Sequence, residues 1–387
     1  MRPLRALAPE HPLDFLAVLR DALAGSGPAV LPLPAGAAAA DSGAHVADVP
    51  KRVSVVIETS GSTGVPKRVM LSTNALLAGA AASAVALGGA GQWLLALPVH
   101  YIAGVQVLVR SIAAETTPLV LPAGHFDPKT FQRLAETMTE PLRYTALVPV
   151  QLARLLDAAD DPTLLAVLRR FTAILVGGQA IRPELIKRAE SLDVRVVRTY
   201  GSSETAGGCI YNGVPIGDTL VRVVGGQLEL SGSVLAEGYL DDAERTADRF
   251  AMERGVRWYR TGDLGEVDQR TGRVTVLGRA DNVIISGGEK VSLDAVERIV
   301  RSHPGFEHAV VLGGDDEKWG QVPVVVVDGG AARTDVADVA ASVVAVLGRA
   351  ARPARVVRVP ELPLLASGKP DRRALADLLP DSHGSGQ

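Results

Sequence analysis

Glu58-Thr59-Ser60-Gly61-Ser62-Thr63-Gly64-Val65-Pro66-Lys67-Arg68 gathers hydroxyls, glycines and cations behind a strand-like run, Val53 to Ile57. Those residue types suit a polyphosphate. Glycines let backbone N–H groups turn inward without steric cost, the Ser and Thr hydroxyls add donors, and the Lys67 ammonium supplies positive charge. The string is not a Walker loop, because Pro66 stands where that motif needs its second glycine and Arg68 follows the lysine in place of Ser or Thr. Taken alone, a Ser/Gly-rich turn without any ligand is the competing reading.

Four later segments remove that ambiguity. Together with them the loop resembles the TSGTTGxPKG signature of the acyl-adenylating superfamily, which includes acyl-CoA synthetases, luciferases and peptide-synthetase adenylation domains. Tyr200-Gly201-Ser202-Ser203-Glu204 is similar to the family's YGxTE, and Tyr259-Arg260-Thr261-Gly262-Asp263 to its YRTGD. Gly278-Arg279-Ala280-Asp281 with Ser286-Gly287-Gly288-Glu289 resembles its hinge segment, and Ser367-Gly368-Lys369 its C-terminal SGK. The order is the family's own, and the match runs from residue 59 to residue 369.

The resemblance implies an enzyme that uses ATP, Mg²⁺ and CoA to activate a carboxylic acid as an acyl-adenylate and then form a thioester. It places Tyr200, with Gly201 behind it, against the adenine face, and Gly177-Gly178-Gln179 as the backbone wall opposite. Glu204 becomes the Mg²⁺ carboxylate, a hard oxygen ligand for a hard cation, and Ser203 offers a hydroxyl to the α-phosphate, serine replacing the usual threonine. Asp263 accepts from both ribose hydroxyls, a task suited to a carboxylate. Arg279 approaches the same ribose or the phosphates, with a structural ion pair as its alternative. Lys369 becomes the mobile cation bridging the substrate carboxylate and α-phosphate. Asp281 matches the hinge position, and the turn containing Gly287 and Gly288 lines the pantetheine channel in the second domain orientation.

The acyl pocket is less determined. Leu97-Pro98-Val99-His100-Tyr101-Ile102-Ala103-Gly104 resembles the family's LPLFHxxG, but Tyr101 stands where the usual histidine does and the imidazole moves to His100. Whether His100 or Tyr101 gates the carboxylate entrance is open at this level. The compact length, the run from Ile102 to Arg110 and the Ile-Ser-Gly-Gly-Glu turn look most like the 2-succinylbenzoate–CoA ligases of menaquinone biosynthesis. Their aromatic substrate has two carboxylates, of which one is activated while the other stays ionised and needs a cation or several donors. Arg110 is the candidate partner, beside Tyr101 and Gly104; an exposed helix arginine is its alternative. Another acyl- or aryl-CoA synthetase, an adenylation enzyme that loads a carrier protein, and a non-catalytic nucleotide binder are the competing functions.

The elements that must position these residues follow from periodicity. Leu13, Leu16, Leu19 and Leu23 predict an amphipathic helix over 12–24, followed by a strand from Ala29 to Leu33 and a linker from Ala35 to Val49. Ser72 or Thr73 caps a helix ending at Gly88-Gly89. Strand-like and helical runs then alternate to Thr199, which predicts a layered, mostly parallel α/β sheet with its ligands beyond the strands' C-terminal ends. Short alternating runs over 209–278 predict a β-barrel-like subdomain within an N-terminal adenylating domain of residues 1–278, and 279–387 a small mobile α+β lid domain.

Composition narrows the class. A length of 387 residues suits roughly two or three domains. The net charge of −3 gives no basic stripe for nucleic acid. The lone Cys209 fits a reducing cytoplasm. Glu10, Asp14, Arg20 and Asp21 break the N-terminal apolar run, so neither a signal peptide nor a membrane span is expected there. Homo-oligomerisation is left open.

Overall fold

The computed structural model describes residues 1–9, 11–34, 36–37, 45–59, 66–329, 336–364 and 370–379. The chain divides into two compact units. The first takes Met1–Arg222, Glu229–Thr261 and Val267–Val274; the second takes Val223–Leu228, Gly262–Glu266 and the chain from Thr275 onward.

Two sheets organise the first unit. One holds six strands in the order Gly238–Tyr239, Lys67–Ser72, Val53–Thr59, Ala29–Pro32, Arg2–Leu7 and His45–Val49. The other runs Val214–Pro215, Gly207–Tyr211, Val196–Ser202, Ala173–Val176, Arg143–Leu147, Gln92–Leu95 and Leu119–Val120, and is parallel from Val196–Ser202 onward. Its inner strands are buried on both faces, as parallel strands under helices must be. Ala173 and Leu175 face one core with Trp93, Leu95 and Leu108, while Ile174 and Val176 face another with Leu94, Phe131 and Leu152. That is the period of two read through the sheet.

Helix boundaries follow local chemistry. Ser72 Oγ accepts from Ala75 N at the start of the Thr73–Leu87 helix, and Gly88 ends it in the left-handed region at φ +90°. Asp127 caps the Pro128–Glu136 helix through the N–H groups of Lys129 and Thr130. The first helix spans Pro12–Ala24 but buries Phe15, Leu19 and Ala22, leaving Leu13 exposed, so its core stripe is rotated from the predicted one.

The expected linker over 35–49 is corrected at its end, because His45–Val49 is a strand, antiparallel to an unpredicted strand at Arg2–Leu7. The Arg2 guanidinium anchors that strand by donating to Ala22 O and Val53 O. The β-rich stretch 209–278 distributes its strands over three sheets. Gly238–Tyr239 joins the first, Gly207–Tyr211 with Val214–Pro215 edges the second, and a third is built from Leu220–Val224, Gln227–Ser231, Val256–Val267, Phe250–Glu253 and Val274–Arg279.

In the second unit a sheet ordered Glu289–Ser292, Val283–Ser286, Gly320–Asp328, Val310–Asp316, with Arg355–Val359 beside Gly320–Asp328, carries the Leu293–Val300 and Val336–Leu347 helices. Val296, Val300, Val339 and Val343 pack with Val311 and Val325. This is the α+β character expected of the C-terminal part of the chain.

Candidate active site

Two side chains from two strands converge at one carboxylate. Lys67 opens the Lys67–Ser72 strand, in register with Thr59, and its ammonium donates to Glu204 Oε1 at 2.6 Å. Glu204 lies in the short 3₁₀ turn Ser203–Thr205 and is only 2% exposed. The Tyr239 hydroxyl donates to the same Oε1 at 2.9 Å, and Lys67 Nζ sits 5.6 Å from the centre of the Tyr239 ring. Burial by itself raises the Glu204 pKa, but the Lys67 charge and the Lys67 and Tyr239 hydrogen bonds outweigh it and hold the carboxyl below its ordinary value. Glu204 is therefore an ionised carboxylate in a low-dielectric site.

The turn itself is fixed by Thr205. Its hydroxyl accepts from Ser202 N at 2.9 Å and donates to Gly207 O at 2.8 Å, and Ala236 N donates to Glu204 O at 2.8 Å. Ser203 is buried beside it. Gly201 is required by close approach, since a Cβ there would lie 2.0 Å from Gly207 O.

Tyr200 and the Gly177-Gly178-Gln179 loop lie at the C-terminal ends of neighbouring parallel strands, with Arg198 in register with Val176. A Cβ on Gly177 would stand 2.3 Å from Thr199 Oγ1, so only glycine lets the loop lie against the strand. Gly178 occupies the left-handed region at φ +81°.

His100 and Tyr101 follow the Gln92–Leu95 strand and enter the Ile102–Ala113 helix, their ring centroids 4.1 Å apart. Burial lowers the His100 pKa and raises that of Tyr101, favouring neutral forms of both. Gly104 lets the helix start against the preceding loop: a Cβ there would stand 2.2 Å from Pro98 O. Two turns on, Arg110 is 7% exposed. Its guanidinium stacks 4.8 Å over the Trp93 ring and donates to Tyr211 OH at 3.3 Å, and the Tyr211 hydroxyl is hydrogen-bonded in turn to Ser83. Among the described residues its Nε has no partner and no carboxylate pairs with it. The exposed-arginine alternative is thus excluded.

Within the second unit Arg279 joins two of the predicted residues. Its Nη1 lies 3.1 Å from Asp263 Oδ1, and Nε and Nη2 grip the two Asp281 oxygens at 3.1 Å each. Gly287 (φ +57°) and Gly288 (φ +88°) form the turn after Ser286, and Gly287 N donates to Trp319 O. Ser60, Gly61, Ser62, Thr63, Gly64 and Lys369 lie outside the described residues. Thr59, at the start of that loop, is described; its buried hydroxyl has no partner among the described residues.

Sequence reading missed Tyr239 and Thr205. Tyr239 belongs to a two-residue strand, too short for periodicity to register, and its neighbour Gly238 was the one local signal of a close approach.

Residues 14–237 match the model of the AMP-binding enzyme family, and residues 295–369 that of the AMP-binding enzyme C-terminal domain. The chain belongs to the AMP-binding enzyme family. A Mycobacterium tuberculosis protein described as a probable 2-succinylbenzoate–CoA ligase is 38% identical over 381 residues, covering 97% of each chain. An arginine-to-lysine variant of E. coli MenE, solved with bound OSB-AMS, aligns at TM-score 0.74 and 25% identity, over 97% of this chain and 86% of that one. Bacillus subtilis o-succinylbenzoate CoA synthetase, solved with the acyl-adenylate intermediate OSB-AMP, shares the fold at TM-score 0.74 and 24% identity, over 85% of this chain and 70% of that one.

As an AMP-binding enzyme the chain has to accommodate a metal–triphosphate. Among the described residues no cluster of three or more His, Cys, Asp or Glu side chains is placed to hold a metal. Mg²⁺ keeps several waters and is commonly held by one or two carboxylates plus substrate phosphates. Glu204, ionised and buried, is a suitable single carboxylate. No helix among the described residues is long and apolar enough to cross a membrane.

Proposed function

We propose that this AMP-binding enzyme is a 2-succinylbenzoate–CoA ligase acting in menaquinone (vitamin K2) biosynthesis. One carboxylate of the acid attacks the α-phosphorus of ATP, expelling pyrophosphate and forming an acyl-adenylate; the CoA thiol then attacks the acyl carbon and AMP leaves. The observation that carries the choice of acid is Arg110. A buried guanidinium without a counter-ion is strongly disfavoured unless an anion arrives to pair with it, and the second carboxylate of 2-succinylbenzoate is such an anion. The 38% identity to the M. tuberculosis protein over nearly the full length of both chains supports the same reading.

The residue roles form part of this proposal. Thr59, Lys67 and the loop Ser60 to Gly64 hold the phosphates, Ser203 donates to the α-phosphate, and Glu204 holds Mg²⁺. The metal, when bound, neutralises charge on the triphosphate. Tyr200 with Gly201 and the wall Gly177 to Gln179 bracket adenine. Asp263 accepts from the ribose, with Arg279 beside it. His100, Tyr101 and Gly104 shape the acyl entrance. Lys369 supplies the cation of the adenylation step, Asp281 is the hinge between an adenylating domain of residues 1–278 and a lid domain of 279–387, and the turn containing Gly287 and Gly288 lines the pantetheine path. A cytoplasmic location agrees with the single, buried, unpaired Cys209.

Pyrophosphate release with a panel of acids, with and without CoA, tests the activity. The expected result is release with 2-succinylbenzoate that turns over continuously only when CoA is present. Continuous release dependent on a carrier protein instead of CoA overturns the ligase reading, and no release with any acid overturns the enzyme reading.

A further inference from the structure

We propose that Tyr239 is a positioning residue for adenylation, holding the Glu204 carboxylate in a fixed orientation for the metal–triphosphate. The inference rests on the reading of Glu204 as the metal carboxylate. Tyr239 is 3% exposed, and a phenol so buried requires a hydrogen-bond partner; its partner is Glu204 Oε1, at 2.9 Å.

The phenol is held at both ends. Its backbone N–H donates to Thr246 Oγ1 at 2.9 Å, and the residue pairs with Val69, two positions from Lys67. A Cβ on Gly238 would come within 2.5 Å of Thr246 Cγ2, so only glycine admits this approach. The ring packs against Phe250 with centroids 6.0 Å apart.

Two donors of different mobility therefore share one carboxylate oxygen. Lys67 ends a long flexible stem and is a quarter exposed, and it is free to shift towards a triphosphate. Tyr239 has two side-chain torsions, both fixed by packing. When the ammonium turns to the phosphates, the tyrosine hydroxyl is the bond that keeps Glu204 from reorienting. Arg245, 5.8 Å from the centre of the same ring, is the other cation on its face.

Tyr239→Phe removes this donor and keeps the ring. The test is calorimetric binding of ATP to the full chain without acid, once with Mg²⁺ and once with EDTA, beside the Mg²⁺ concentration giving half-maximal pyrophosphate release. A hydrogen bond to a charged group carries enough energy for roughly a tenfold effect or more. The expected result is a Kd for Mg·ATP about tenfold higher, an unchanged Kd for metal-free ATP, a raised Mg²⁺ requirement and a melting temperature near that of the parent. Equal weakening with and without metal, or no change in either, overturns the proposal. Thr246→Val, which loosens the tyrosine backbone without touching the phenol, should weaken Mg·ATP selectively and to a lesser degree; it serves if Tyr239→Phe is poorly folded, and unselective weakening there also overturns the proposal. Glu204→Gln separates the two readings. If Glu204→Gln loses the metal-dependent gain while Tyr239→Phe keeps it, Tyr239 is only a packing residue. If Glu204→Gln keeps the gain, Glu204 is not the metal carboxylate and the proposal falls with it.

Discussion

Arg110 and Glu204 are both charged and nearly inaccessible, yet they solve the burial of charge differently. Glu204 has Lys67 and Tyr239 against it, and breaking a buried ion pair such as the one with Lys67 by removing the charged partner typically costs ~3–5 kcal/mol. Among the described residues Arg110 has the Trp93 ring and the neutral Tyr211 hydroxyl against it, and no counter-ion. Truncating one member of a hydrogen-bonded charge pair costs ~2–5 kcal/mol, so Arg110→Ala is expected to lower kcat/KM for 2-succinylbenzoate by about 30-fold or more. A monocarboxylate analogue lacking the second acid should be a poor substrate of the parent and little changed by the substitution. If 2-succinylbenzoate is used well and the variant is indifferent, another group holds the free carboxylate. The charged motif residues were legible because they form contiguous strings: Tyr200 to Glu204 reads as a unit. The burial of Arg110 was not, because the Val-Leu-Val run before it fits a half-exposed helix as well as a buried one, and only Trp93, Tyr211 and Ser83, distant in sequence, decide it.

Elements place these residues through a few close approaches. The Ile102–Ala113 helix carries Gly104 and Arg110 on one rod, and its start is set by the contact of Gly104 with Pro98. Gly104→Ala puts a Cβ against two backbone carbonyls, Pro98 O at 2.2 Å and Leu97 O at 3.0 Å, which cannot rotate away as a side chain would. Such overpacking typically costs ~1–3 kcal/mol. The expected outcome is a lower denaturation midpoint together with a rise in KM for the acid that exceeds any rise in KM for ATP. Equal effects on both substrates would mean that the helix does not carry the acyl site specifically. Capped helices were readable from sequence, since Ser72, Asp127 and Gly88 act on their own neighbours. The Pro149–Asp157 and Pro162–Arg169 helices were not anticipated, nor was the Arg2–Leu7 strand. The helices are shorter than ten residues, and the strand begins with Arg-Pro and gains its stability from Ala29–Pro32 and His45–Val49, which sequence does not place beside it.

At the scale of the molecule, Lys67, Glu204 and Tyr200 lie in the first unit and Asp263, Arg279 and Asp281 in the second. Lys369→Ala is expected to abolish most adenylation, by roughly 10²–10³ in rate as for loss of one preorganised charge-stabilising donor, while sparing thioester formation from supplied acyl-adenylate. Equal losses in both half-reactions would count against separate domain orientations. Asp281→Pro, which fixes φ at the hinge, should show the opposite pattern, with adenylation near normal and CoA-dependent turnover impaired; unimpaired turnover removes Asp281 from that role. The identity of the acid separates the 2-succinylbenzoate reading from the other acyl- and aryl-CoA synthetases. It is tested most directly by competition: an equimolar mixture of 2-succinylbenzoate, benzoate, a medium-chain fatty acid and a monoester of 2-succinylbenzoate, offered with ATP, Mg²⁺ and CoA, and the thioesters resolved by mass. The account predicts that 2-succinylbenzoyl-CoA dominates the products. A mixture led by benzoyl-CoA, a fatty acyl-CoA or the monoester's thioester would contradict it, while leaving the adenylating chemistry of the family in place.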